Sequence, residues 1–157
     1  MKHTIFTIAI LLIFISCNPS GDNKEAKENT SKSPIEGTWK LLTGTLIDKG
    51  DTTVTDYIKG KEFIKIINDT HFAFLSHDLS KGKNADSLFS AGGGHYSLTD
   101  SSYTERLEYC NDRQWEGNDF HFTVEIHNDT LIQKGLEKID SLGVNRLNIE
   151  KYVRLGN

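Results

Sequence analysis

From Phe120 to His127 the chain alternates strictly. Phe120, Phe122, Val124 and Ile126 are apolar, while His121, Thr123, Glu125 and His127 are polar. A period of two sorts these residues onto opposite faces of an extended strand, one to be buried and one to be wetted. A strand of this kind needs neighbours to cover its apolar face, and the rest of the sequence supplies them. Less regular runs of the same type are read at Gly37–Ile47, Thr53–Ile58, Phe63–Ile67, Phe72–Leu75, His95–Leu98, Tyr103–Tyr109, Leu131–Leu136 and Arg146–Leu155. Between them stand Asn68-Asp69-Thr70, Thr99-Asp100-Ser101-Ser102 and Asn128-Asp129, whose residue types suit tight hairpins. No segment carries a long helical stripe, and Leu79 to Ser90 reads as a loop or a short helix at most.

These runs predict an all-β domain: an antiparallel up-and-down β-barrel of about eight or nine strands joined in sequence order. Closure removes the sheet edges that would otherwise pair with other chains. An eight-stranded barrel has an interior just wide enough for side chains or one small ligand. An open β-sandwich is the competing arrangement.

The N-terminus has a different character. Lys2 precedes an apolar run from Ile5 to Ile15, which is shorter than the roughly 20 residues a spanning helix needs and matches a secretory signal. It ends in Phe14-Ile15-Ser16-Cys17, which resembles the lipobox of bacterial lipoproteins. Residues 1–16 are therefore expected to be cleaved and Cys17 to be lipidated. The acyl chains would hold the protein to a membrane, at about 0.8 kcal/mol for each buried CH₂. Residues 17–34 include no large apolar residue and read as a flexible tether with a reach of roughly 20–25 Å. The expected location is the cell envelope, at the periplasmic face or the surface of an outer membrane. The folded domain is expected over residues 35–157.

Cleavage would leave 141 of the 157 residues, enough for one domain. It removes Lys2 and no acid, so the net charge of −4 becomes −5. An acidic balance argues against nucleic acid as a partner. With Cys17 acylated, Cys110 is left as a lone thiol on a strand. No metal is expected, because the histidines and cysteines lack zinc-like spacing. No cofactor is implied, and Gly-x-Ser-x-Gly is absent.

Gly37-Thr38-Trp39 resembles the Gly-x-Trp opening of lipocalin and calycin barrels. Further matching pieces are Phe63-Ile64-Lys65-Ile66, His71-Phe72-Ala73-Phe74, Gly92-Gly93-Gly94-His95-Tyr96, Tyr103-Thr104-Glu105 with Glu108-Tyr109, and Arg154. In this order over 35–157 they resemble small lipocalin-like lipoproteins of Bacteroidetes, a family whose function is not established. The resemblance implies a barrel base in which Trp39 of the first strand lies under Arg154 of the last, with Gly37 beside them. Tyr152 stands where a tryptophan would be expected.

On a strand, Tyr103, Glu105, Leu107 and Tyr109 share one face, and that face reads as the inner one. A carboxylate inside a barrel needs a partner or a shifted pKa. Glu105 is therefore either the polar end of a ligand pocket, together with Tyr103, Tyr109 and Tyr96, or one half of an ion pair with a core cation such as Lys65. Gly92-Gly93-Gly94 reads as a bend or bulge, and the loop before it as a possible lid. Trp115 is placed in a loop, covering the core or standing at a rim. The expected function is a non-enzymatic, membrane-anchored binding protein for a small apolar or amphipathic ligand. The alternatives are a packed structural or interaction subunit of an envelope assembly, and a small-barrel enzyme using Glu105 as base. The sequence gives no oligomeric state.

Overall fold

Alternating side chains become strands wherever a hairpin can return the chain, and the hairpins set the order of the sheet. The structure, a computed structural model, describes residues 32–85 and 87–156. The signal segment, Cys17 and most of the tether lie outside the described residues. Ten strands follow in order: β1 (Gly37–Asp48), β2 (Asp51–Asp56), β3 (Lys61–Ile67), β4 (His71–Asp78), β5 (Phe89–Thr99), β6 (Ser102–Leu107), β7 (Tyr109–Cys110), β8 (Asn118–His127), β9 (Thr130–Ile139) and β10 (Val144–Arg154). Short 3₁₀ turns occur at Arg113–Trp115 and Asp140–Leu142.

Every pairing is antiparallel, and the strands β1-β3-β4-β5-β6-β8-β9-β10 close on themselves through β10 and β1. This is the expected up-and-down barrel, with eight strands in the wall. β1 divides its pairing along one side. Gly37–Lys40 pair with β3, while Thr43–Asp48 pair with β2, which lies off the closed circuit. The register of β1 and β10 shifts between Leu41 and Thr43, a bulge that lets a long strand follow the curvature. The expected turns form as their residue types suggest. Asp100 and Asn128 adopt positive φ (54° and 52°), and Asn68 Oδ1 accepts from the backbone N–H groups of Thr70 and His71.

The core is the barrel interior. Trp39, Leu41, Ile67, Phe72, Leu131 and Tyr152 are buried at one end, and the end itself is sealed by the chain that leads into β1. Trp39 Nε1 donates to the Ile35 carbonyl at 2.7 Å. The Arg154 guanidinium lies 4.0 Å over the Trp39 ring and donates to the carbonyls of Glu36 and Pro34, both at 2.6 Å. A Cβ on Gly37 would stand 2.5 Å from Arg154 Nη1, so only glycine lets the guanidinium through. Gly37, Trp39 and Arg154 are thus brought together at the base. Pro34, assigned from sequence to the tether, is one of the groups that Arg154 holds.

One local reading needs correction. The inner face of β6 does not continue through Tyr109. Glu108 N–H reaches across to the Gly93 carbonyl, the strand breaks after Leu107, and β7 resumes the pairing with β5 one residue out of register. The extra residue reverses the alternation, so Tyr109 is 69 % exposed and Cys110 turns inward. Gly92-Gly93-Gly94 lies within β5 and makes the approach possible: a Cβ on Gly94 would sit 2.0 Å from the Arg106 carbonyl oxygen.

Candidate functional site

Above the packed base the interior opens into a cavity of about 260 Å³. That is just under the roughly 300–1,000 Å³ of pockets for drug-sized ligands. Its walls are mostly aromatic. Phe63 of β3 and Phe74 of β4 stack with centroids 5.7 Å apart, and Phe120 and Phe122 of β8 face them with Leu107. Trp115, on the 3₁₀ turn after β7, lies 5.9 Å from the Phe120 ring. That turn is pinned by Glu116, which accepts from Cys110 N–H and Arg113 Nε, both at 2.8 Å. The indole therefore stands at the edge of the cavity as part of its lining.

The floor is polar. Lys65 Nζ donates to Glu105 Oε1 at 2.7 Å and to Gln133 Oε1 at 3.0 Å, and lies 3.8 Å from Glu150 Oε2. The same Glu150 oxygen accepts from the Tyr152 hydroxyl at 2.7 Å. Nearer the mouth, Glu137 accepts from Arg146 Nε at 2.7 Å and from Asn148 Nδ2 at 2.8 Å. The Arg146 guanidinium also lies 5.5 Å over the Trp115 ring. Among the described residues, two buried polar atoms, the Tyr103 hydroxyl oxygen and Gln133 Nε2, have no hydrogen-bond partner. A buried group left unpaired costs roughly 1–3 kcal/mol, which a water or ligand group can recover.

Burial governs the protonation of these groups. It pushes the Glu105 carboxyl above the usual range; Lys65 pulls it back, while Glu150 adds to the rise. The Tyr103 hydroxyl is raised by burial and then by the neighbouring Glu105 charge, and Tyr152 by burial and then by Glu150. Both phenols therefore stay neutral, and of the two only Tyr152 has an acceptor, Glu150. Burial also raises the Cys110 thiol, which makes it a poor nucleophile.

Of the four residues expected to bind ligand, Glu105 lines the cavity, and it is also paired with Lys65, so both sequence readings of this residue meet in one arrangement. Tyr103 is fully buried beside it. Tyr96 packs on Tyr103 with ring centroids 5.4 Å apart but sends its hydroxyl to the Asn68 carbonyl, at the base. Tyr109 is outside. The sequence reading missed Gln133, Glu137, Asn148 and Glu150. Parity could have found them: Gln133 and Glu137 share a strand face with Leu131 and Ile139, and Asn148 and Glu150 share one with Tyr152. Among the described residues, no group of three or more His, Cys, Asp or Glu is placed to hold a metal. His71 and His95 lie on the outside with ring centroids 3.9 Å apart and planes tilted by 43°, where His95 meets Glu108.

Fold and site together define a closed antiparallel barrel with an apolar-walled, polar-floored cavity. The chain matches no protein-family model and no curated protein.

Proposed function

We propose that this protein is a lipid-anchored binding barrel of the cell envelope, similar to the lipocalin-like lipoproteins, that holds one small amphipathic molecule. Cys17 is its anchor to the outer membrane, and residues 17–34 are the tether. The observation that carries the reading is the cavity itself: aromatic walls above a floor where Gln133 Nε2 is buried without a partner. Pockets that bind small molecules combine apolar lining with a few polar groups that fix orientation. In this reading the barrel holds its ligand and does not convert it, because Glu105 and Lys65 are already committed to each other.

A second reading has its own observation. Ile66, Leu75, Phe89 and Tyr109 are exposed on the outer faces of β3, β4, β5 and β7. An apolar patch of this kind is what an interaction subunit would present.

The test uses a plug. Cys110 lines the cavity near Trp115, so Cys110→Trp fills space without touching the floor. Wild-type and plugged protein are incubated with an extract of the source cells, repurified and extracted with organic solvent for mass spectrometry. A compound enriched on the wild type and lost from the plugged variant is expected. Equal recovery from both would overturn the reading.

A further inference from the structure

The charges that line the cavity do not cancel. Glu105, Asp112, Glu137 and Glu150 face one lining cation, Lys65. Arg146 answers Glu137 at 2.7 Å. At the floor, two carboxylates then share a single ammonium, with Glu105 at 2.7 Å and Glu150 at 3.8 Å from Lys65 Nζ. The nearer carboxylate takes the strong bond, so Glu150 is the less compensated of the two. Its Oε2 accepts from Tyr152, and Oε1 has no protein partner among the described residues. Gln133 lines the same cavity, is 1 % exposed, gives its Oε1 to Lys65, and leaves Nε2 unpaired.

These groups specify a ligand by what they lack. Glu150 has only the longer, 3.8 Å share of one cation, and Gln133 Nε2 lacks an acceptor. The surrounding rings of Phe63, Phe74, Phe120 and Phe122 line the space, and aromatic rings both exclude water and attract a positive charge. A ligand carboxylate would add a further negative charge to the lining, which disfavours it. Building on the binding-barrel reading, we infer that the cavity selects a small apolar molecule with a positively charged amine and a neutral oxygen acceptor next to it. The amine pairs with Glu150, the oxygen accepts from Gln133 Nε2, and the apolar body lies among the phenylalanines.

The test is a matched ligand series titrated calorimetrically into the full chain in lipid nanodiscs, with empty nanodiscs as the blank. The series is phenethylamine, its β-hydroxy derivative, phenethyl alcohol and phenylacetate. A charge-assisted bond predicts that the amine binds at least about tenfold more tightly than the alcohol. Phenylacetate should be the weakest, and the hydroxylated amine should be tighter than the plain one. Glu150→Gln should abolish the preference for amine over alcohol. Because the ranking is read on the wild type, it does not depend on how the variant folds. Alcohol or phenylacetate binding as well as the amine would overturn the amine assignment and leave the binding barrel standing. The same holds if none of the four binds while the wild type retains a compound from cell extract. Binding of none, with nothing retained from extract, would overturn both.

Discussion

Replacing Lys65 with methionine removes the cation from the barrel floor and leaves its volume nearly filled. Lys65 and Glu105 have side chains 3 % and 9 % exposed, so solvent cannot screen the carboxylate that remains. Breaking one side of a buried pair costs about 3–5 kcal/mol when the orphaned charge has no escape. Here there is an escape, because Glu105 can take up a proton. A carboxyl that titrates at 4.5 in the absence of perturbation is neutralised at pH 7 for about 3 kcal/mol, which sets the ceiling. Glu105 is raised already in the wild type, and the variant removes the Lys65 charge that pulls it back, so its folded pKa lies still further above its unfolded value. Its contribution is intact below the unfolded pKa and is lost as pH rises through the folded one. The penalty relative to wild type therefore shrinks by about 1.4 kcal/mol for each unit of acidification, to under 1 kcal/mol at pH 5. For a domain of this length, that is a fall in Tm of about 10 °C at pH 7 and about 3 °C at pH 5. Calorimetric or circular-dichroism melts at the two pH values read it directly. Lys65→Met combined with Glu105→Gln should recover most of the loss, as a double-mutant cycle would show. A penalty that is absent, or equal at both pH values, would refute the buried, coupled floor.

Other consequences are as specific. Arg154→Lys keeps the charge but loses the fork that reaches the carbonyls of Pro34 and Glu36; urea unfolding should show a loss of about 1–2 kcal/mol. Gly94→Ala places a methyl 2.0 Å from the Arg106 carbonyl oxygen and should destabilise by about 1–3 kcal/mol in the same assay, through forced separation of β5 from the end of β6. Asp78 is held well below the usual carboxylate range by the Ser80 hydroxyl and the Gly82 and Leu88 N–H groups. Its hold on the loop after β4 is thus present at neutral pH and lost on acidification. Asp78→Asn should accelerate amide exchange at Gly82 and Leu88 at neutral pH. Labelled palmitate should be incorporated into the wild-type chain and not into Cys17→Ser.

Alternation made the wall of this barrel legible in the sequence. Phe120 to Ile126 and the Asn68 and Asn128 turns fix the face and hairpins of their strands by rules that act within a few residues. The base was legible for another reason: Gly37, Trp39 and Arg154 resemble an arrangement of known barrels. The site was harder to read. Tyr109 went to the wrong face because one extra residue at Glu108, stabilised by a hydrogen bond to Gly93, reverses the parity of everything after it. No local pattern announces such a bulge, and the glycines that permit it lie on a different strand. Gln133 and Glu150 were passed over because polar residues in strands usually face water. Their strand faces were set by Leu131 and Tyr152, and only closure of β10 onto β1 brings them to Lys65.

Native mass spectrometry of the full chain, purified without denaturation from the membrane of its own cells, addresses the central claim most directly. A protein carrying one small molecule beyond its acyl anchor, lost in Cys110→Trp, is the predicted result. A mass that accounts for chain and anchor alone, identical in wild type and variant, would contradict the binding barrel and direct attention to the exposed apolar face of β3, β4 and β5.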